Sequence, residues 1–209
     1  SMDAVADRDY IVEFLATLAM LAIHCSRLSE DVILWMSQEF AFLQLDDAFC
    51  TGSSLMPQKR NPDVAELSRG KTGRVVGALV SMLTTLKGLP LSYNRDLQED
   101  KEGLFDAIDT VCLVLSALAP MMATATARTD RMRAMAGDPA LMATDLAEWL
   151  VQQDVPFREA HHQVGRLVGW CEAKGVALDQ LTLGQMQETI PLATDECLGI
   201  FSPERSVAA

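Results

Sequence analysis

The sequence predicts an all-α fold, in which a bundle of long helices is followed by a small C-terminal helical domain. Three observations favour this fold class. The first 51 residues contain neither Gly nor Pro. Apolar residues recur through most of the chain at spacings of three and four, and no stretch shows the alternating pattern of a strand. Leu, Ala and Met supply most of the apolar residues while aromatic residues make up only 6% of the chain, which also favours helices.

The first long helix is predicted from about Asp7 to about Glu39, because apolar residues such as Ile11, Leu15 and Leu18 recur there with helical spacing. At 1.5 Å per residue, such a helix is about 50 Å long. A helix of this length has an extended apolar stripe to cover, so it predicts a bundle or an oligomer.

A second helix is predicted to begin with Asn61 as its N-cap and Pro62 at its first position, and to run to Lys87, where a glycine and a proline follow. Asp63 and Glu66 place negative charge near the positive end of its dipole. This helix therefore carries clear signals at both of its ends.

Three glycines, Gly70, Gly73 and Gly77, lie inside the second helix. Each costs about 1 kcal/mol of helix propensity relative to alanine. A close approach by a neighbouring backbone would explain that cost, so the glycines predict tight helix packing.

A third helix is predicted from about Leu97, and Pro120 should kink or end it. After Asp130 the helices become shorter and are interrupted by glycines and prolines. We therefore expect a central long-helix domain over residues 1–125 and a small helical domain over residues 126–209.

The composition excludes several classes of function. A formal net charge of −12 leaves no basic surface to neutralise phosphates, which argues against binding nucleic acids or an anionic membrane. The most apolar segment, Val111–Ala127, is interrupted by polar residues and by Pro120, which favours a buried bundle helix over a membrane span. Five cysteines without CxxC spacing are typical of a reduced, cytosolic protein. The expected partners are small molecules or other protein chains.

The segment 51–62 interrupts the helical pattern and reads as a mobile loop that leads into the second helix. It contains Ser53, Lys59 and Asn61. A serine hydroxyl becomes a base only where amides, a cation and a helix dipole stabilise the alkoxide, and Lys59 and the helix start could supply those groups. The same spacing is also typical of a Gly-Ser-Ser surface linker that happens to precede a lysine.

The loop sequence GSSLMPQKRNP, Gly52 to Pro62, resembles the signature loop of the superfamily of fumarase, aspartase, adenylosuccinate lyase and argininosuccinate lyase, with the pattern GSSxMPxKxNP. The stretches SMDAVADRD, Ser1 to Asp9, and LPLSYNRDLQEDKE, Leu89 to Glu102, look like argininosuccinate lyase and its lens relative, delta-crystallin. The resemblance covers essentially all of the chain and corresponds to rather less than half of a family chain. It implies a long-helix bundle of the fumarase/aspartase type.

In the loop region, the resemblance implies a catalytic base, two residues that stabilise the negatively charged intermediate, and a carboxylate that acts on a histidine. Ser53 would remove a proton from carbon. Lys59 and Asn61 would hold the substrate carboxylate and stabilise the aci-carboxylate intermediate. Glu66 would orient and charge a histidine.

The resemblance also implies a second set of binding residues. Tyr93, Gln98 and Lys101 match positions that grip the arginine end of the substrate, and Arg8 matches a position near the site. Without the resemblance, these four residues are typical of solvated helix starts.

The resemblance implies an enzyme that cleaves argininosuccinate to arginine and fumarate, without a metal or another cofactor, as a cytoplasmic homotetramer whose sites form where three subunits meet. A structural, crystallin-like protein without activity is the alternative, and the QEDKE run, Gln98 to Glu102, argues against an adenylosuccinate lyase-like enzyme. The histidine partner of Glu66 precedes Ser1 in the family order. We therefore expect the chain to be a fragment that is inactive by itself.

Overall fold

The computed structural model describes residues 1–52, 54–56 and 59–208. The chain divides into two compact units, Ser1–Arg128 and Thr129–Ala209. Helices dominate both units, so the predicted all-α class is confirmed. The first unit contains the helices α1 (Met2–Ala6), α2 (Asp9–Met36), α3 (Asp63–Leu86) and α4 (Asp100–Thr124) and the strands β1 (Leu43–Gln44), β2 (Thr51–Gly52), β3 (Arg60–Asn61) and β4 (Thr126–Ala127).

The three long helices α2, α3 and α4 form a bundle in which α3 runs antiparallel to the other two. On one side, Arg69 of α3 pairs with Glu30, and the Thr72 hydroxyl donates a 3.0 Å hydrogen bond to the carbonyl oxygen of Ala22. On the other side, Arg74 pairs with Asp106 of α4. The first residues of α2 and α4 therefore lie at the same end of the bundle as the last residues of α3.

The bundle core follows the helical repeat that the sequence predicts. The buried side chains of the three helices form two adjoining apolar clusters, and they include Ile11, Leu15, Leu18, Val32, Val75, Met82, Ala107, Val111, Val114, Leu118 and Met121. Most of the apolar segment Val111–Ala127 lies in α4, where Val111, Val114, Leu118 and Met121 are buried in this core. Leu113 and Leu115 of the same segment are exposed in the single chain.

The second helix begins later than predicted, and the assignment of Asn61 as its N-cap is wrong. Asn61 is extended and pairs with Thr51 in an antiparallel ladder. Pro62 has a ψ of 60°, which is not helical, so α3 begins at Asp63. The predicted acidic first turn is confirmed, with Asp63 and Glu66.

The three glycines of α3 do not meet a neighbouring backbone within this chain. A Cβ atom added at Gly70, Gly73 or Gly77 would have no described atom of another element within 4 Å. The prediction of close packing at these glycines is therefore wrong for the single chain.

Two further details differ from the sequence predictions. Pro120 does not end α4, which continues to Thr124. A proline removes one backbone donor, so a helix held by core packing can continue past it with one hydrogen bond fewer. The strands are also unpredicted: β1 pairs with β4 and β2 pairs with β3, each over two residues, which is too short for an alternating pattern.

Two helical stretches, Asp9–Met36 and Arg95–Thr124, are long and apolar enough to cross a membrane by length and composition alone. The core helices of a soluble protein meet the same criterion. Here a third of the residues in each apolar window is buried inside the protein.

The second unit has its own apolar core, built from short helices. Their bounds are α5 (Thr129–Ala136), α6 (Ala143–Gln152), α7 (Phe157–Lys174), α8 (Leu183–Gln187), α9 (Asp195–Leu198) and α10 (Pro203–Ala208). Leu146, Leu150 and Leu167 are fully buried where α6 packs on α7. Gly175 ends α7 in the left-handed conformation at φ 64°, which glycine adopts without strain.

Candidate functional site

The loop 51–62 is closed at its base by the pairing of β2 with β3. Thr51 lies opposite Asn61, and Gly52 lies opposite Arg60. Arg60 also forms an ion pair with Asp47, which fastens this base to the short 3₁₀ helix Asp47–Phe49. Ser53, the predicted base, lies outside the described residues, as do Pro57 and Gln58.

A cavity of about 830 Å³ in the first unit begins at the base of this loop. Lys59, Asn61 and Glu66, three of the predicted site residues, line it together. Lys59 and Glu66 are exposed, and Glu66 lies in the first turn of α3. The helix start therefore brings its unpaired backbone amides to the same region as the Lys59 cation.

Arg128 lines the same cavity and escaped the sequence predictions. Its backbone N–H donates to Phe42, and its guanidinium donates a 3.2 Å hydrogen bond to the side-chain oxygen of Gln44. It therefore follows directly from the pairing of β4 with β1, a contact between distant segments that no local pattern indicates. With Lys59 and Arg60, it gives the described lining three cationic residues against the one carboxylate of Glu66, which suits an anionic ligand.

A cysteine next to the loop has the properties of a structural thiol. Burial raises the pKa of the Cys50 thiol, and the carboxylate of Asp47 raises it further. Since the thiolate is the reactive form of cysteine, Cys50 is a poor nucleophile at neutral pH.

The second set of predicted residues lies at the opposite end of the bundle. Tyr93 is half exposed in the turn that follows α3. The Asn94 side chain fastens this turn by donating hydrogen bonds of 3.1 Å to the carbonyl oxygen of Pro90 and 3.2 Å to that of Ser92. Ser92 has a φ of 77°, a strained conformation for a residue other than glycine. Gln98 is exposed in the 3₁₀ helix Arg95–Glu99 that leads into α4.

Arg8 and Lys101, from the same predicted set, converge on Asp100. One oxygen of the Asp100 carboxylate accepts a 2.6 Å hydrogen bond from Nε of Arg8, and the other accepts a 2.8 Å bond from Nζ of Lys101. Burial raises the pKa of Asp100, but hydrogen bonds and charge from Lys101 and Arg8 outweigh that effect and hold the pKa below its ordinary value. Sequence reasoning missed Asp100, although a carboxylate in helical register with the core residues Ala107, Val111 and Val114 is a recognisable signal.

The structure brings the predicted residues together as two sets that do not meet within one chain. Glu66 and Leu86 are separated along α3 by about 30 Å at 1.5 Å per residue. The loop set, with Lys59 and Asn61, lies at the Glu66 end, whereas the other set follows the Leu86 end. One small molecule cannot contact both sets of a single chain.

No metal centre is evident in the part of the chain that the structure describes. Among those residues, no group of three or more His, Cys, Asp or Glu side chains is arranged to hold a metal ion.

Comparison with protein families gives two matches. Residues 1–77 match the family described as Lyase, and residues 140–208 match the family described as Argininosuccinate lyase C-terminal. Together they include the loop, the start of α3 and most of the second unit.

Curated relatives match almost the whole chain. Argininosuccinate lyase from Moorella thermoacetica is 56% identical over 207 residues, which cover 99% of this chain and 45% of that protein. Argininosuccinate lyase from Frankia casuarinae is 52% identical over 209 residues, which cover 100% of this chain and 45% of that protein. The chain thus spans less than half the length of these relatives.

Solved structures share the fold. EDDS lyase in complex with formate has a TM-score of 0.83 and 28% sequence identity, covering 99% of this chain and 43% of that one. The 3-carboxy-cis,cis-muconate lactonizing enzyme from Pseudomonas putida has a TM-score of 0.79 at 23% identity, covering 96% of this chain and 45% of that one. The likeness to the second enzyme is one of fold alone, and both confirm the predicted long-helix fold class.

Proposed function

Because the chain belongs to the argininosuccinate lyase family, we propose that it supplies the signature loop and the arginine-end residues of an enzyme that cleaves argininosuccinate to arginine and fumarate. The observation that carries this proposal is the meeting of Lys59, Asn61 and Glu66 around one cavity at the base of the loop. The three cationic residues of this cavity, Lys59, Arg60 and Arg128, support binding of a substrate with several carboxylates.

The proposed reaction is an elimination that begins with loss of a carbon-bound proton. Ser53, as the alkoxide, takes the proton, and the electron pair left on carbon is delocalised into the neighbouring carboxylate. The C–N bond then breaks as the C=C bond of fumarate forms, and the released guanidino nitrogen takes up a proton. The ammonium of Lys59 and the amide of Asn61 stabilise the doubly charged intermediate, because fixed donors need no reorganisation as the charge develops.

Glu66 has an indirect part in this proposal. Its carboxylate orients and charges a histidine supplied from elsewhere in the site. The exposed position of Glu66 at the edge of the cavity supports this role, because another segment can approach it there.

Tyr93, Gln98, Lys101 and Arg8 are proposed to bind the arginine end of the substrate. Their position about 30 Å from the loop, estimated from the rise along α3, requires that they serve a different copy's loop. The protein is therefore proposed to act as a homo-oligomer, a tetramer in its intact form, located in the cytoplasm. The two compact units are proposed to be separate domains, of which the first carries the chemistry.

Exposed apolar side chains on the long helices support self-association. Phe14, Met20, Leu67, Val80 and Phe105 are each between 46% and 63% exposed in the single chain. Large apolar side chains left in water on several helices are typical of surfaces that another chain covers.

The experiment that tests the proposal is release of fumarate from argininosuccinate, followed by absorbance. It uses this chain joined to the upstream segment that its curated relatives have. The wild-type protein should release fumarate, Ser53→Ala should lose nearly all of that activity, and Ser116→Ala, an exposed serine of α4, should retain it. A folded wild-type protein that releases no fumarate would leave the structural, crystallin-like role as the better account.

A further inference from the structure

Asp100 occupies an exceptional position in the bundle. Of the charged residues that the structure describes, it alone is buried, and its side chain is 0% exposed. Removing a carboxylate from water costs several kcal/mol unless cations and hydrogen bonds compensate it. Its two oxygens each receive one cation, from Arg8 and from Lys101.

The two cations differ in their exposure to solvent, and only one of them is well placed to meet a ligand. The Arg8 side chain is 16% exposed and also donates a 2.6 Å hydrogen bond to the carbonyl oxygen of Asp7. The Lys101 side chain is 62% exposed, and its ammonium carries three donors, of which Asp100 uses one. Two cations and one carboxylate leave a net charge of +1, with free donors of Lys101 facing solvent.

We propose that Asp100 is a positioning residue, whose buried carboxylate fixes the guanidinium of Arg8 and the ammonium of Lys101 so that they receive a carboxylate at the arginine end of the substrate. A flexible lysine side chain loses conformational entropy when it binds a ligand, and a partner that already holds the ammonium reduces that loss. The inference rests on the proposed function, because it acts through two of the proposed binding residues.

The competing explanation is that Asp100 only ties the start of α4 to the start of α2. In that case its removal lowers stability and leaves substrate binding unchanged in the protein that remains folded. A positioning role predicts instead that the KM for argininosuccinate rises while kcat changes little, because the arginine end is remote from the carbon that loses its proton.

The test measures KM and kcat of the full-length protein for the wild type, Asp100→Asn, Lys101→Met and the double variant. Asp100→Asn should raise KM about tenfold or more, the scale of a lost hydrogen bond to a charged group. In the Lys101→Met background, Asp100→Asn should raise KM by a smaller factor than in the wild type, because part of the effect of Asp100 passes through Lys101 and the rest through Arg8. Asp106→Asn is the matched control, because Asp106 lies on α4 like Asp100 and forms an ion pair with Arg74 of α3. This substitution should leave KM unchanged.

A conservative variant keeps the proposal testable if Asp100→Asn does not fold. Asp100→Glu retains the charge, and a cavity of about 200 Å³ beside Asp100 can take its extra methylene group. A positioning role predicts a raised KM in this folded variant, since the ammonium moves with the carboxylate.

The possible outcomes distinguish failure of the positioning role of Asp100 from failure of the proposed lyase function. If Lys101→Met raises KM but neither Asp100→Asn nor Asp100→Glu does, the positioning role is wrong and the proposed function stands. If effects of Asp100→Asn and Lys101→Met on KM are fully additive, Asp100 does not act through Lys101. A wild-type protein without lyase activity would overturn the proposed function and this inference with it.

Discussion

Asp100 accepts a 2.6 Å hydrogen bond from Nε of Arg8, although the two residues are 92 positions apart in the chain. The contact joins the first residue of α4 to the residue just before α2. Together with the antiparallel course of α3, it fixes one end of the bundle and gathers the proposed arginine-end residues there.

The Asp100 ion pairs should make stability depend on pH in acid. The folded-state pKa of Asp100 is lowered, so its contribution is fully present above the unfolded-state pKa of about 3.9 and is lost as pH falls through the folded value. Asp100→Asn should cost about 1–3 kcal/mol at neutral pH, and the difference from the wild type should shrink between about pH 5 and pH 2. Urea unfolding at several pH values measures this difference. A difference that stays constant through that range would show that the Asp100 charge contributes nothing.

Two buried serines of the bundle should respond differently to replacement by alanine. Ser29 is fully buried, and its hydroxyl has no hydrogen-bond partner among the described residues. Ser68 is also buried, but its hydroxyl donates a 2.7 Å hydrogen bond to the carbonyl oxygen of Val64. Ser29→Ala should raise the free energy of unfolding by about 0.5–1 kcal/mol, because it removes an uncompensated polar group.

Ser68→Ala is the control for that substitution, since it makes the same chemical change at a satisfied position, and it should not stabilise the protein. Chemical denaturation of both variants gives the comparison. Equal effects of the two substitutions would mean that the Ser29 hydroxyl is compensated in solution.

The glycines of α3 allow a test of self-association. Gly77 faces open space in the single chain, so Gly77→Ala should stabilise the isolated helix bundle by up to about 1 kcal/mol. If a second copy packs closely against α3, the same methyl group should weaken the oligomer. Sedimentation measures the association, and unfolding at low concentration measures the stability.

Gly165→Ala is the matched control, because Gly165 is an exposed helical glycine of the second unit and also faces open space. It should stabilise its helix without changing association. An oligomer that tolerates Gly77→Ala as well as Gly165→Ala would exclude close packing at this part of α3.

The long helices could be predicted from the sequence because their apolar residues repeat regularly over many turns. The exact first residue of α3 could not be predicted. Capping preferences consider only neighbouring residues, whereas Asn61 is held in an extended conformation by its pairing with Thr51, ten positions earlier. Arg128 could not be predicted as a cavity residue either, because the pairing of β4 with β1 that brings it to the cavity is a contact between distant segments.

The separation of the proposed site residues into two sets also could not be predicted from the sequence. Motifs identify Lys59, Asn61 and Glu66 and, separately, Tyr93, Gln98 and Lys101, but spacing along the chain does not say which residues are close in space. The length and direction of α3 supply that information. They separate the two sets by about 30 Å and lead to the proposal that each site combines residues of different copies.

Mixing two impaired variants tests that central claim most directly. Lys59→Met and Lys101→Met each damage one set, so each full-length homo-oligomer should release fumarate slowly at an argininosuccinate concentration well below KM. Hybrids formed by co-expression and purified through two different tags should recover about a quarter of wild-type fumarate release, because a site needs one intact contribution from each of two randomly drawn copies. Hybrids that assemble fully but are no more active than either parent would contradict the account.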